Sequence, residues 1–102
     1  DAAVSKITRN PGAAISVPQL AVDVGVSESR LNSLFKAETG KSCGEFIRSK
    51  RMALAQELLI AGDMTVKQIA EKVGFNHVSN FSRSYRDWFG ESPASALRRK
   101  LR

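Results

Sequence analysis

Histidine and cysteine are nearly absent from this 102-residue chain, which has one of each, His77 and Cys43. A lone cysteine closes no internal disulfide, which excludes a disulfide-stapled secreted scaffold and points to a reducing interior. A lone histidine offers neither a catalytic Cys/His pair nor a set of metal-ligating imidazoles. No apolar run approaches the roughly 20 residues that span a bilayer, so no membrane segment is expected. No segment alternates β-branched and polar residues as a half-buried strand would. No phosphate-cradling glycine loop and no paired-carboxylate site is present. The chain therefore reads as a non-enzyme that uses no cofactor and no metal. It opens at Asp1 with no basic or apolar leader, so it is expected to be a piece of a longer protein with no targeting signal.

What is present leans basic. Sixteen Lys and Arg against ten Asp and Glu give a net charge of +6, and 42% hydrophobic residues suffice for one core, or for two small halves sharing one. Division after Arg51 leaves eight basic and five acidic residues on each side, +3 apiece. The commonest partner of a small basic domain is nucleic acid, with anionic membrane surfaces a distant second.

Helix breakers fall at Asn10-Pro11-Gly12, Gly25, Gly40, Gly62-Asp63, Gly74, Gly90 and Pro93. They predict helices near 1–9, 17–24, 28–39, 43–60, 66–73, 77–88 and 93–100. The terminal run Arg98-Arg99-Lys100-Leu101-Arg102 reads as a frayed, solvated tail.

An internal repeat organises these helices. Segment 16–25, Ser-Val-Pro-Gln-Leu-Ala-Val-Asp-Val-Gly, matches segment 65–74, Thr-Val-Lys-Gln-Ile-Ala-Glu-Lys-Val-Gly, at an offset of 49. After the glycine the offset becomes 50: Leu31 pairs with Phe81, Phe35 with Tyr85, Lys36 with Arg86, and Gly40-Lys41-Ser42 with Gly90-Glu91-Ser92.

Each copy has a simple physical logic. Ser16 or Thr65 caps a short helix. Val17, Leu20, Ala21 and Val24, or Val66, Ile69, Ala70 and Val73, form its apolar face. Ala21 and Ala70 are small enough for a second helix to cross closely, and Gly25 and Gly74 can take the positive φ of a sharp turn. Ser27 or Asn76 caps the second helix, which buries Leu31, Leu34 and Phe35, or Val78, Phe81 and Tyr85. This is a helix-turn-helix, whose second helix protrudes far enough to enter a DNA major groove.

The outward face of that helix carries Ser29, Asn32, Ser33 and Lys36 in the first copy, and Asn76, Ser79, Ser82, Arg83 and Arg86 in the second. Short hydrogen-bonding side chains can approach base edges, and an arginine can grip guanine bidentately. The expected base-facing set is Ser29, Asn32, Ser33, Asn76, Ser79, Ser82 and Arg83. Ser27, Arg30, Lys36, Arg48, Lys50, His77 and Arg86 are expected at phosphates or flanks. For His77 the alternative is plain solvent exposure, the commoner state of such a residue.

The helix near 42–60 places Ile47, Leu54 and Leu58 on one face, with Phe46 and Leu59 alongside. Some 17 or 18 residues reach about 26 Å, a rod suited to holding two recognition helices about one DNA turn, roughly 34 Å, apart. Arg51 falls on its apolar face, where a buried ion pair and a DNA contact are both open. Cys43, at the helix start, is either a small packing residue or a thiol of depressed pKa. Trp88 and Phe89 either close the second core or stack on bases.

The run Gly25-Val-Ser-Glu-Ser-Arg-Leu-Asn-Ser-Leu-Phe-Lys-Ala-Glu-Thr-Gly40 resembles the first helix-turn-helix of the AraC/XylS family of bacterial transcription regulators. Phe46-Ile-Arg-Ser-Lys-Arg-Met-Ala-Leu-Ala-Gln-Glu-Leu-Leu59 is similar to that family's linker helix. Ile69-Ala-Glu-Lys-Val-Gly-Phe75, Phe81-Ser-Arg-Ser-Tyr-Arg86 and Phe89-Gly-Glu-Ser-Pro93 resemble its second half. The likeness runs from about Ile15 to Leu97. It implies an all-α domain of seven helices forming two helix-turn-helix subdomains joined by a long linker helix. Subdomain 1 is expected at about 1–41 (helix-turn-helix 17–39), the linker at about 42–60, and subdomain 2 at about 61–102 (helix-turn-helix 66–88).

The resemblance also implies a cytoplasmic, sequence-specific binder of double-stranded DNA, most often an activator that recruits or positions RNA polymerase. An effector-binding or dimerisation domain is expected in the full-length protein. Base reading is implied at Ser29, Ser33, Ser79 and Arg83. Several family members have Arg or His where this chain has Ser33, so reading by the first copy is weaker here, or shifted toward Asn32 and Arg30. A helical protein-docking module is the alternative from another class, but these faces lack the aliphatic or aromatic anchors such modules use. Single-stranded RNA binding would call for exposed aromatic platforms that the sequence does not offer.

Overall fold

The computed structural model describes residues 2–10, 12 and 16–100, apart from the side chains of Ala2, Ala3, Ser5, Lys6 and Lys100. Of the sequence expectations, those for Asp1, Pro11, Ile15 and the Leu101-Arg102 end of the basic run lie outside the described residues. Among the described residues every regular element is an α-helix: α1 (Ala2–Arg9), α2 (Val17–Val24), α3 (Glu28–Thr39), α4 (Cys43–Ala61), α5 (Val66–Lys72), α6 (Val78–Phe89) and α7 (Pro93–Lys100). Among them, no helix is long and apolar enough to cross a membrane.

The helix ends form where the sequence supplies partners for unpaired backbone groups. Ser16 Oγ accepts from the Gln19 amide at 3.2 Å, opening α2. Thr65 Oγ1 accepts from the Gln68 amide while Gln68 Oε1 accepts from the Thr65 amide, a reciprocal box that opens α5. The far ends are closed alike in both copies. The Val26 amide donates to the Ala21 carbonyl and the Gly25 amide to Val22, as the Phe75 amide donates to Ala70 and the Gly74 amide to Glu71. This double closure needs a left-handed residue, and Gly25 (φ 82°) and Gly74 (φ 96°) provide it.

The chain divides into two compact units, Asp1–Lys50 and Arg51–Arg102. The first core gathers Ile7, Leu20, Ala21, Leu31, Phe35, Cys43, Phe46 and Ile47, with the Phe35 and Phe46 rings 5.5 Å apart. The second gathers Met52, Ala55, Leu59, Ile69, Ala70, Val73, Phe81, Tyr85 and Ala96. Along it runs an aromatic series in which Phe75–Phe81, Phe81–Tyr85 and Tyr85–Phe89 stand 5.5, 5.9 and 4.6 Å apart. The division falls within α4, whose first two turns serve the first core and whose remainder serves the second.

Several packing expectations are corrected. In the second half of α4 the fully buried positions are Met52, Ala55 and Leu59, whereas Leu54 and Leu58 are half-buried beside them. The apolar surface of this helix is wider than one stripe. Val24 is 43% exposed while its repeat partner Val73 is buried. The second copy follows its glycine with Phe75 where the first has Val26, and Phe75 packs in the same cluster as Val73. Leu34 is half-buried. Val78, the first residue of α6, is 43% exposed, and Trp88, in its last turn, is 41% exposed. Cys43 is buried among apolar side chains, which pushes its thiol pKa up. It is a packing residue.

A Cβ on Gly25 would meet nothing within 4 Å, so Gly25→Ala isolates the cost of the left-handed backbone. It should destabilise the chain by about 1–2 kcal/mol, read by urea unfolding. An unchanged midpoint would show that this helix end does not require positive φ.

Candidate nucleic-acid interface

The second helix of each copy presents a polar stripe opposite its buried one. On α3, Leu31 and Phe35 face inward, while Ser29, Ser33 and Lys36 are exposed at i, i+4 and i+7 and so share one outward face. On α6, Phe81 and Tyr85 face inward, and Ser79, Arg83 and Arg86 form the matching exposed stripe. Neither stripe contains a carboxylate. Hydroxyls reach short distances and a guanidinium offers a planar fork of donors, so both stripes suit a surface rich in acceptors. Ser33 Oγ donates to the Ser29 carbonyl at 3.1 Å, so to donate to an acceptor outside the protein its hydroxyl must turn away from that bond.

The two helices start differently. Ser27 caps α3, its Oγ accepting from the Arg30 amide at 3.1 Å, and Glu28 follows in the first turn, where a carboxylate complements the helix dipole. In the second copy the cap position belongs to His77, not to the expected Asn76, and no side chain caps the helix there. The offset of 50 that pairs Ser27 with His77 was the available signal; the strong capping preference of asparagine competed with it. Omitting a side-chain cap typically costs about 0.5–2 kcal/mol. Asn76 and His77 are both exposed beside the start of α6.

Asn32 leaves the reading face. It is half-buried, and its Oδ1 accepts from the Cys43 amide at 3.1 Å across eleven residues, tying α3 to the start of α4. Ser82, its repeat partner, is half-buried in the same place on α6. The partner of Cys43 is Pro93, the first residue of α7, which has no amide hydrogen. The first copy supplies an acceptor for a buried donor; the second deletes the donor. Asn32 is therefore corrected from a base-facing to a structural position, while Ser82 stands half-buried at the edge of the α6 stripe.

The flanking residues sort by exposure. Arg30 and Arg48 are exposed. Lys50 is half-buried, its ammonium 5.4 Å from the centre of the Phe46 ring. Arg51 is half-buried too, and burial lowers its guanidinium pKa. Asn80, an exposed amide next to Ser79 and the repeat partner of Arg30, belongs to the α6 surface and was missed by sequence reading. Asp87, in the last turn of α6, is exposed as well.

Residues 20–99 match the family described as a helix-turn-helix domain. The probable transcription factor PqrA of Proteus vulgaris is 31% identical over 90 residues, covering 88% of this chain and 72% of that protein. The transcriptional activator NphR of Rhodococcus sp is 35% identical over 79 residues, covering 78% of this chain and 23% of that one. The solved structure of a probable AraC family transcriptional regulator from Rhodopseudomonas palustris has a TM-score of 0.77 at 31% identity, covering 96% of this chain and 93% of that one. The chain belongs to the AraC/XylS family, as a helix-turn-helix DNA-binding domain of a transcription regulator. Its relatives are transcription regulators rather than enzymes. It spans 11% to 32% of the length of the first five curated relatives it matches.

Asn32→Ala should lower stability by about 1–3 kcal/mol, the cost of leaving the Cys43 amide unsatisfied, and leave sequence preference intact. Urea unfolding and selection from random duplexes check the two halves of this statement. A changed base preference at full stability would return Asn32 to the reading face.

Proposed function

We propose that this chain reads double-stranded DNA through two successive major-groove segments, one met by α3 and one by α6. The observation that carries the proposal is the matched pair of exposed stripes, Ser29-Ser33-Lys36 and Ser79-Arg83-Arg86, on the second helices of two helix-turn-helix copies. Ser29, Ser33, Ser79 and Arg83 meet base edges, with Asn76 and Asn80 beside them. Lys36, Arg86 and Arg30 neutralise phosphates, joined by Ser27, Arg48, Lys50 and His77 at the flanks. The intact protein acts in the bacterial cytoplasm as an activator that positions RNA polymerase, and it carries an effector-binding or dimerisation domain. The likeness to the transcriptional activator NphR supports the activating role.

Gel shift at two salt concentrations tests the electrostatic half. With about six to nine phosphates neutralised, log affinity should fall against log salt with a slope of about −5 to −8. A flat dependence would favour a protein partner instead.

Arg83→Ala should cost about 1–3 kcal/mol at the selected site and relax preference at one base pair. Lys36→Ala should weaken selected and random duplexes alike. Equal loss on both duplexes for Arg83, or loss confined to the selected site for Lys36, would reverse the two assignments.

A further inference from the structure

Among the described residues, the exposed large hydrophobic side chains are Val22, Val24, Ile60, Val78 and Trp88. Val78 alone of these opens a helix that bears one of the outward stripes. It is 43% exposed, directly before Ser79, and lines a cleft of about 270 Å³ together with Lys67, Ala70, Glu71, Phe75, Asn76, His77 and Ser79. A single exposed valine is ordinary on a protein surface. Its setting is not.

The first copy starts the matching helix with Ser27-Glu28, a side-chain cap followed by a carboxylate at the positive end of the dipole. The second starts with His77-Val78, which gives up both devices. Valine is a poor helix former besides, since its branched Cβ restricts χ1. Local preference is thus set aside twice in adjacent residues, at the end of the helix that leads into a groove. Such departures concentrate where a surface serves a ligand. The exposed part of the Val78 side chain cannot hydrogen-bond, so it can distinguish bases only by apolar contact. In the major groove the one apolar feature a base pair presents is the C5-methyl group of thymine.

We infer that Val78 reads a thymine through its C5-methyl group, making an apolar contact beside the polar readout of Ser79 and Arg83. The inference rests on the proposed DNA reading and deepens it. Because the matched first-copy position is Glu28, a carboxylate, the two helices do not ask for the same base there.

The test uses the duplex selected by this chain from random DNA, with each thymine replaced in turn by deoxyuridine, which lacks only the methyl group. One thymine in the segment read by α6 should show a loss of about fourfold, the worth of one buried methyl group. In Val78→Ala that loss should vanish, and the variant should bind thymine and uracil duplexes equally at this position. Its circular dichroism and urea midpoint establish that it is folded. Specific binding with no uracil-sensitive position, or with a penalty that persists in Val78→Ala, overturns the inference and leaves the DNA reading standing. Absence of any sequence-selective binding overturns both.

Discussion

The left-handed glycine that ends the first helix of each copy is the constraint on which both halves depend. At Gly25 and Gly74 the chain must leave one helix, satisfy the carbonyls of Ala21 and Val22 or Ala70 and Glu71, and start the next helix within a few residues. Only a residue without Cβ does this at little cost. The buried Ala21 and Ala70 lie in the helices that end there, where a larger side chain would hold the crossing helix away. With the turn and the crossing fixed, the direction of α3 and α6 is fixed, and so is which of their side chains face outward. The polar stripes are a consequence of the turn.

The two copies share this scaffold and differ on what it displays. Asn32 with Cys43, and Ser82 with Pro93, are alternative answers to one problem, an amide at the start of the following helix. The exposed stripes diverge more. The first offers two hydroxyls and Lys36; the second adds the forked donors of Arg83 and Arg86. On the proposed reading this gives the second copy the larger share of base discrimination, since a guanidinium can bond guanine at two points while serine bonds weakly and without strong preference.

The helices were legible in the sequence because breakers and caps surround each of them, and the observed bounds fall within a residue or two of those expected. The exposed polar stripes were legible because Ser29-Ser33-Lys36 and Ser79-Arg83-Arg86 lie opposite residues of obvious core type. Positions on the border between faces were not. Asn32 sits next to Leu31, and only the distant Cys43 amide, invisible to helical periodicity, draws it inward. In α4, several apolar residues compete for burial, and periodicity alone did not select Met52 and Ala55. The start of α6 was misplaced for a different reason. Asparagine's capping preference outweighed the repeat register, which already matched His77 to Ser27 and Val78 to Glu28.

Protection of guanine N7 from methylation, mapped along a selected duplex, tests the central claim most directly, because N7 is reachable only from the major groove. The account predicts two protected clusters on one side of the duplex, centred about 10 base pairs apart, with one guanine of the cluster assigned to α6 losing its protection in Arg83→Ala. A single protected cluster, or protection confined to minor-groove positions of adenine, would contradict it.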